Sequence, residues 1–170
     1  MPRPVKKNKV LSDQIKTALL NVWDDNSGGA MFLTNALVSQ RLGGSVLQAS
    51  WDAKGKRIRI TNPSPHEFIG IPDGPDLWNL REAWIVKSIS YIQALSYGVS
   101  VSEQNAYHYY VEHWTRTGWE ITIDAEPIKL QGYASKGKNP WGFVPIVYIP
   151  HLRIGTNLYG RPIINESVQG

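Results

Sequence analysis

The sequence predicts an α+β fold in which two N-terminal helices precede a mostly antiparallel, meander-like sheet. Two observations indicate this fold. Apolar residues recur with a helical period before Gly43-Gly44 and with a period of two after it. The alternating segments that follow are short and are separated by turns rich in Gly, Pro, Asn and Asp, which is typical of strands that pair with their chain neighbours.

Capping signals and apolar periodicity predict the two helices. Ser12 is the predicted N-cap of the first, which ends near Asp24, before an Asn-Ser-Gly-Gly segment. The second spans residues 30–41 and is ended by Gly43-Gly44, because glycine tolerates the left-handed C-cap conformation. The apolar faces consist of Ile15, Ala18, Leu19, Val22 and Trp23 in the first helix and, predicted to face inward, Phe32, Leu33, Ala36 and Leu37 in the second.

The remaining elements are predicted as strands. A hairpin with one buried face spans residues 45–60 around the loop 52–56. Residues 143–149 are almost continuously apolar, which predicts a strand buried on both faces, and Pro145 places part of it at an edge or a bulge. Further strands are predicted at residues 67–71, 82–92, 107–114, 119–124 and, as a short edge strand, 127–130.

Three segments are predicted along the chain. Residues 1–11 form a basic tail, which is expected to be flexible and which supplies much of the net charge of +4. Residues 12–150 form a single domain. Residues 151–170 are expected to form a loop and then the start of a helix near Ile163, in a piece of a longer protein.

The residue types exclude several classes of function. The chain has no cysteine and no apolar stretch of membrane-spanning length, so disulfides, a cysteine nucleophile and membrane contact are not predicted. No cofactor and no catalytic residue are predicted either. A metal site is not predicted, since His108 and His113 point to opposite faces of one strand and cannot easily share a metal ion. His108, Tyr110 and Glu112 share a face, interpreted as a surface polar ladder. The carboxylates stand at turns and helix ends, and these structural roles explain them well. A hydrolase that uses acidic residues is therefore a third class of function with little support.

Four basic residues of the first hairpin are a candidate nucleic-acid contact. Lys54, Lys56, Arg57 and Arg59 lie close to Trp51 in the sequence. Basic side chains can pair with phosphates while an aromatic ring stacks on a base. The alternative is a solvated hairpin whose charges protect a sheet edge from aggregation.

The aromatic hairpin formed by residues 107–124 is a candidate interface. Its aromatic residues include Tyr107, Tyr109, Trp114 and Trp119. Such a surface could pack on a neighbouring subunit or stack on sugar rings, and ordinary cross-strand pairing in a core also gathers aromatic residues in strands.

Residues 139–149, which read Asn-Pro-Trp-Gly-Phe-Val-Pro-Ile-Val-Tyr-Ile, resemble a segment of tailed-bacteriophage portal proteins. The motif positions are Asn139, Pro140, Gly142 and Pro145. Further along, Gly160 matches the glycine of the family's Gly-x-Ser element, which introduces the stem helix, and Pro162 stands where the family has serine. The order of the upstream elements is also similar to that of the portal wing, so the resemblance covers most of residues 12–166.

The resemblance implies the peripheral wing of a portal protein, without its stem, and hence a structural subunit and not an enzyme. Portal subunits form a ring, typically of twelve, at one capsid vertex, through which double-stranded DNA passes. The implied partners are other portal subunits, a terminase, capsid or scaffold proteins and a connector. The implied locations are the virion and, during assembly, the cytoplasm of the bacterial host. The alternative is an aromatic-rich binding module for carbohydrate or single-stranded nucleic acid.

Overall fold

A computed structural model describes residues 6–74, 76–102, 107–129, 134–152 and 158–162. Within these ranges two N-terminal helices are followed by antiparallel sheets, which confirms the α+β prediction. The helices are α1 (Lys6–Asp25), α2 (Gly28–Leu42) and α3 (Tyr91–Ser96). The strands are β1 (Gly44–Asp52), β2 (Arg57–Thr61), β3 (Phe68–Asp73), β4 (Asp76–Ile89), β5 (His108–Thr115), β6 (Gly118–Ile123), β7 (Glu126–Pro127), β8 (Lys136–Lys138) and β9 (Ile146–Pro150).

The strands form two sheets. The larger sheet has the order β3-β4-β5-β6, with β7 and β8 both paired to β6, so consecutive strands are neighbours as in a meander. The smaller sheet has the order β2-β1-β9. Its β1–β2 hairpin is local and lies close to the predicted residues, but the buried side chains of β1 include Val46 and Gln48, whereas Trp51 of the predicted buried face is 59% exposed. The strand β9 returns from residues 146–150 to pair with β1.

The main core lies between the two sheets. It is formed by Val46, Phe68, Leu80, Ala83, Ile85, Trp114, Val144, Ile146 and Tyr148. A second cluster under α3 contains Ile89, Ala94, Val99, Ile123 and Ile128. Alternate residues of the strands point into these clusters, which is the pattern of antiparallel sheets with one buried face.

The helix α1 begins earlier than predicted. It starts at Lys6, so the predicted N-cap Ser12 lies inside it and residues 6–11 are helical instead of a flexible tail. No glycine or proline separates Lys6 from Ser12, so nothing in this stretch opposes helix propagation. Residues 1–5 of the predicted tail and the predicted helix start at Ile163 lie outside the described residues.

The orientation predicted for α2 is wrong. Phe32 is 69% exposed, and Leu33 and Leu37 are also more than half exposed. The side of α2 that carries Gly28 and Asn35 is buried instead. Because only the C-cap Gly43 separates Leu42 of α2 from β1, this short connection fixes which side of the helix meets the sheet.

The side chain of Asn26 ties the end of α1 to the smaller sheet. Its Nδ2 donates to the carbonyl of Ile58 at 2.9 Å, and its Oδ1 accepts from the amide of Ile60 at 2.7 Å. These are free backbone groups of β2, the edge strand, so Asn26 covers part of an open sheet edge. Residues 11–21 of α1 are all exposed, so the helix projects from this attachment.

Three strand predictions need correction. The strand at residues 143–149 is observed as β9, an edge strand, as Pro145 indicated, but it is buried on one face only, with Ile146 and Tyr148 buried and Val147 and Ile149 exposed. The strand predicted to reach residue 92 ends at Ile89, because Ser90 forms a capping box that starts α3. Of the predicted edge strand at residues 127–130, only Pro127 lies in a strand, the two-residue β7, and residue 130 lies outside the described residues.

Candidate assembly interface

Asn139, the first residue of the portal-like motif, is a buried structural anchor. Its Nδ2 donates to the carbonyls of Thr115 and Phe143, both at 2.8 Å. Its Oδ1 accepts from the amide of Trp141 at 3.1 Å, and its own amide donates to the carbonyl of Thr117 at 2.9 Å. Asn139 therefore fixes the motif to the turn between β5 and β6.

The other motif residues shape the path from the larger sheet to the smaller one. Gly142 has a φ of +69°, a left-handed conformation that favours glycine. Pro145 is buried, and its carbonyl accepts from the amide of Ala49 of β1 at 2.9 Å. Pro140 is exposed directly after Asn139. Each of these positions contributes to backbone geometry.

Gly160 closes a joint around the hydroxyl of Tyr148. This hydroxyl donates to the carbonyl of Gly43 at 3.3 Å and accepts from the amide of Gly160 at 3.4 Å. Burial raises the pKa of Tyr148, so its hydroxyl keeps the proton that it donates at physiological pH. A Cβ at Gly160 would lie 2.3 Å from the carbonyl oxygen of Gly43, which leaves no room for a side chain. The ring of Pro162 also lies beside Gly43.

The predicted aromatic interface divides into buried and exposed residues. Trp114 is only 7% exposed and stacks on Trp119 and Trp141, with ring centroids 5.9 and 6.3 Å away. Trp114 is thus a core residue and is removed from the candidate interface, and Trp119 is half-buried against it. Tyr107 and Tyr109 are well exposed and stay candidates for contact with a partner.

Glu112 is the centre of a polar network that sequence analysis missed. It accepts from the indole Nε1 of Trp114 at 2.6 Å, from the hydroxyl of Tyr110 at 3.4 Å, and from Nε2 of the buried Gln48. Since Gln48 belongs to β1, this network joins the two sheets. Burial, and then the charge of Glu112, raises the pKa of Tyr110, which therefore remains a donor.

The face of β5 that carries this network is not the surface ladder that was predicted. His108 is fully buried, and its Nδ1 lies 2.6 Å from Oδ2 of Asp124. Asp124 Oδ1 also accepts from the amide of Tyr109 at 2.8 Å. The Tyr109 amide and then His108 hold the pKa of Asp124 below its usual value.

The low pKa of Asp124 predicts an acid-dependent loss of stability. A carboxylate with a depressed folded pKa stabilises the protein above its unfolded value of 3.8, and this contribution is lost as the pH falls through the folded value. Melting temperatures measured from neutral pH to about pH 2.5 should therefore decline less steeply in Asp124→Asn than in the wild type. The exposed Asp25→Asn is the matched control. Equal slopes for Asp124→Asn and the wild type would contradict the prediction.

His113 lies on the opposite, outer face of β5, as the spacing predicted. Its ring stacks on Trp84 at 4.5 Å, with Glu82 3.3 Å from Nε2 and Glu120 3.5 Å from Nδ1. Stacked in this way, His113 covers one side of the Trp84 ring and reduces its area for stacking on a sugar. No cluster of three or more metal-binding side chains occurs in the described ranges.

The basic hairpin does not combine its charges with an aromatic ring. Lys54, Lys56, Arg57 and Arg59 are all exposed. The β1–β2 register pairs Trp51 with Ile58 and Asp52 with Arg57, so Trp51 and both arginines lie on opposite faces. Asp52 also lies 3.7 Å from Arg57 Nε. The hairpin can contact phosphates, but base stacking by Trp51 at the same site is not available.

Among the described residues, α2 and the smaller sheet each carry an uncovered apolar surface. The first, termed the α2 face, consists of Phe32, Leu33 and Leu37. The second, termed the sheet groove, is an open depression of about 400 Å³ on the smaller sheet, whose lining includes Leu47, Ala49, Ile60, Phe143 and Val147. Large apolar side chains gathered at a surface mark sites of contact with other molecules.

Two acidic residues that a hydrolase site would need form ion pairs within the fold instead. Asp73 pairs with Arg116, and Asp124 pairs with His108.

Within the described part of the chain, no helix combines the length and apolar character needed to cross a membrane. Neither a protein-family model nor a curated protein matches the sequence. The candidate function therefore depends on the site geometry and on the motif.

Proposed function

We propose that this chain is a structural subunit of a phage portal ring, corresponding to its peripheral wing. The positions that resemble the portal family support this proposal, because each has a structural role here. Asn139 anchors a turn, Gly142 and Pro145 direct the chain between the sheets, and Gly160 closes the joint at Tyr148. These are the roles expected of a rigid module that neighbours hold in place.

The observation that carries the proposal is that α2 and the smaller sheet, two different parts of one chain, each carry an uncovered apolar surface. A ring is built from heterologous contacts, in which one patch of each subunit binds a different patch of the next. The α2 face and the sheet groove are such a pair, since an apolar helix face can lie in an apolar groove. In the proposed ring, the α2 face of each subunit docks into the sheet groove of its neighbour.

The size of these surfaces favours a closed ring over an isolated pair. About 300 Å² of apolar surface on each side would bury roughly 600 Å² in one contact, about half of the 1,200 Å² at the lower end of stable specific interfaces. Association itself costs about 4–15 kcal/mol, so one contact alone is weak. In a closed ring every subunit makes two such contacts, which stabilises the ring relative to open pairs.

The proposal names the partners that the motif resemblance implies. They are the other subunits of the ring, a terminase, capsid or scaffold proteins, a connector, and double-stranded DNA in the channel. The subunit belongs to the virion and, during assembly, to the host cytoplasm. The exposed lysines and arginines of the β1–β2 hairpin stay candidates for phosphate contact without base stacking.

Electron microscopy of the protein expressed from its complete reading frame tests this function. The expected result is closed rings with a central channel in the wild type and at least about a tenfold loss of rings in Leu37→Glu, because a buried unpaired charge destabilises the contact by at least 1.4 kcal/mol. Thr34→Glu, exposed on the same helix outside the α2 face, is the control. Monomers at every concentration, with saturable oligosaccharide or oligonucleotide binding, would support the binding-module alternative.

A further inference from the structure

A row of apolar side chains along α1 is left unused by the proposed ring. Leu11, Ile15, Leu19 and Trp23 follow one another at intervals of four residues, and all are about half exposed or more, with Leu19 at 65%. Residues at this spacing form a ridge along a helix. A shallow groove beside the ridge is lined by Ser12, Ile15, Lys16, Leu19, Leu20 and Trp23.

The charges of α1 oppose its own dipole. Its first turn contains Lys6, Lys7 and Lys9 and no acidic residue, and its last turn contains Asp24 and Asp25 and no basic residue. Cations near a helix N-terminus and anions near its C-terminus are each unfavourable by about 0.3–1 kcal/mol. This distribution is unfavourable for α1 alone and becomes favourable beside an antiparallel copy of the same helix.

We propose that two free subunits pair through antiparallel α1 helices, with the ridge of each helix packed in the groove of the other. The occupant is a second copy of this chain because α1 itself carries a ridge and a groove, and also a basic first turn and an acidic last turn. In the register that superimposes the two ridges, Ile15 of one copy faces Leu19 of the second copy. The lysine-rich turn of each helix then lies beside the aspartates of the other, whereas a parallel pair would place like charges together.

The exposed area is sufficient for such a pair. Five half-exposed side chains, the four of the ridge and Leu20, contribute on the order of 100 Å² each, which is about half of the area that an aromatic side chain buries. The pair would then bury about 1,000 Å² in total, which is at the lower limit of specific interfaces. The contact uses neither the α2 face nor the sheet groove, so it is independent of the ring proposal.

Sedimentation equilibrium of the full chain tests the pairing in a Leu37→Glu background, which blocks the ring contact. This Leu37→Glu protein is expected to show a monomer–dimer equilibrium, and adding Leu19→Glu should weaken it at least tenfold. Asn21→Glu adds the same charge to the exposed opposite side of α1 and should leave the equilibrium unchanged. Unchanged dimerisation after the addition of Leu19→Glu, or a Leu37→Glu monomer that binds anionic lipid vesicles, would overturn the proposal.

Crosslinking tests the orientation without disturbing the ridge. Because the chain lacks cysteine, Ser12→Cys and Val22→Cys each carry a single thiol. Residues 12 and 22 face each other in the antiparallel register, whereas identical positions of the two copies are about 15 Å apart along the axis. A short bismaleimide should therefore crosslink a mixture of the two variants and neither variant alone. Efficient crosslinking of Ser12→Cys to itself would contradict the antiparallel arrangement.

Discussion

Replacing Glu112 with leucine is expected to reduce the free energy of unfolding by about 3 kcal/mol or more. The substitution removes the acceptor for Trp114 Nε1, for the hydroxyl of Tyr110 and for Nε2 of Gln48. A buried donor left without an acceptor costs about 1–3 kcal/mol. For a chain of this length, the loss corresponds to a fall in melting temperature on the order of 10 °C.

Denaturant titration of matched variants separates the network from a general effect of the substitution. Glu112→Gln keeps one acceptor oxygen and the shape of the side chain, so its loss should be intermediate. Glu126→Leu makes the same change at an exposed position of β7 and should alter stability by less than about 0.5 kcal/mol. A Glu112→Leu variant as stable as Glu126→Leu would show that the two sheets are not joined through this carboxylate.

Asn139→Ala is expected to destabilise the protein by about 2–4 kcal/mol. The amide group satisfies the carbonyls of Thr115 and Phe143 and the amide of Trp141, and alanine leaves all three without that partner. Because Trp141 stacks on Trp114, the intrinsic fluorescence of the folded state should change as well. Thermal unfolding monitored by tryptophan fluorescence measures both effects.

Two further variants show which part of the Asn139 side chain matters. Asn139→Asp keeps the oxygen that accepts from Trp141 but directs a charged acceptor at two carbonyls, so it should be at least as destabilising as alanine. Asn21→Ala, at an exposed position of α1, is the control and should be nearly neutral. If Asn139→Asp retained wild-type stability, the anchoring role of the donated hydrogen bonds would be wrong.

Local signals were sufficient to predict the fold class and most of the strands. The change of apolar period at Gly43-Gly44 coincides with the observed junction of α2 and β1. The hairpins are set by turn residues that lie between their strands, so their pairing needs no distant information. The pairing of β9 with β1 joins residues about a hundred positions apart, and no local pattern specifies it.

The direction in which an apolar face points could not be read from periodicity. Phe32, Leu33, Ala36 and Leu37 form a regular apolar pattern, but such a pattern shows that a face exists and not what covers it. The same limit applies to Trp114, which the sequence predicts as an interface residue and the structure buries in the core. Glu112 could have been recognised as inward-facing, since it shares a side of β5 with Trp114. The geometry of Asn139 depends on carbonyls from two distant segments, so only the motif resemblance singled it out.

A mixing experiment tests the heterologous ring contact most directly. Leu37→Glu disables the α2 face, and Val147→Glu, at an exposed position of β9, disables the sheet groove. Both are examined with Leu19→Glu added, so that pairing through α1 does not contribute. Each variant alone should remain monomeric, and an equimolar mixture should form one-to-one heterodimers at high protein concentration, because it unites one intact α2 face with one intact sheet groove. If the mixture is as monomeric as the separate variants at every concentration while the single Leu19→Glu protein forms rings, or if the Val147→Glu variant assembles normally, the proposed contact is wrong.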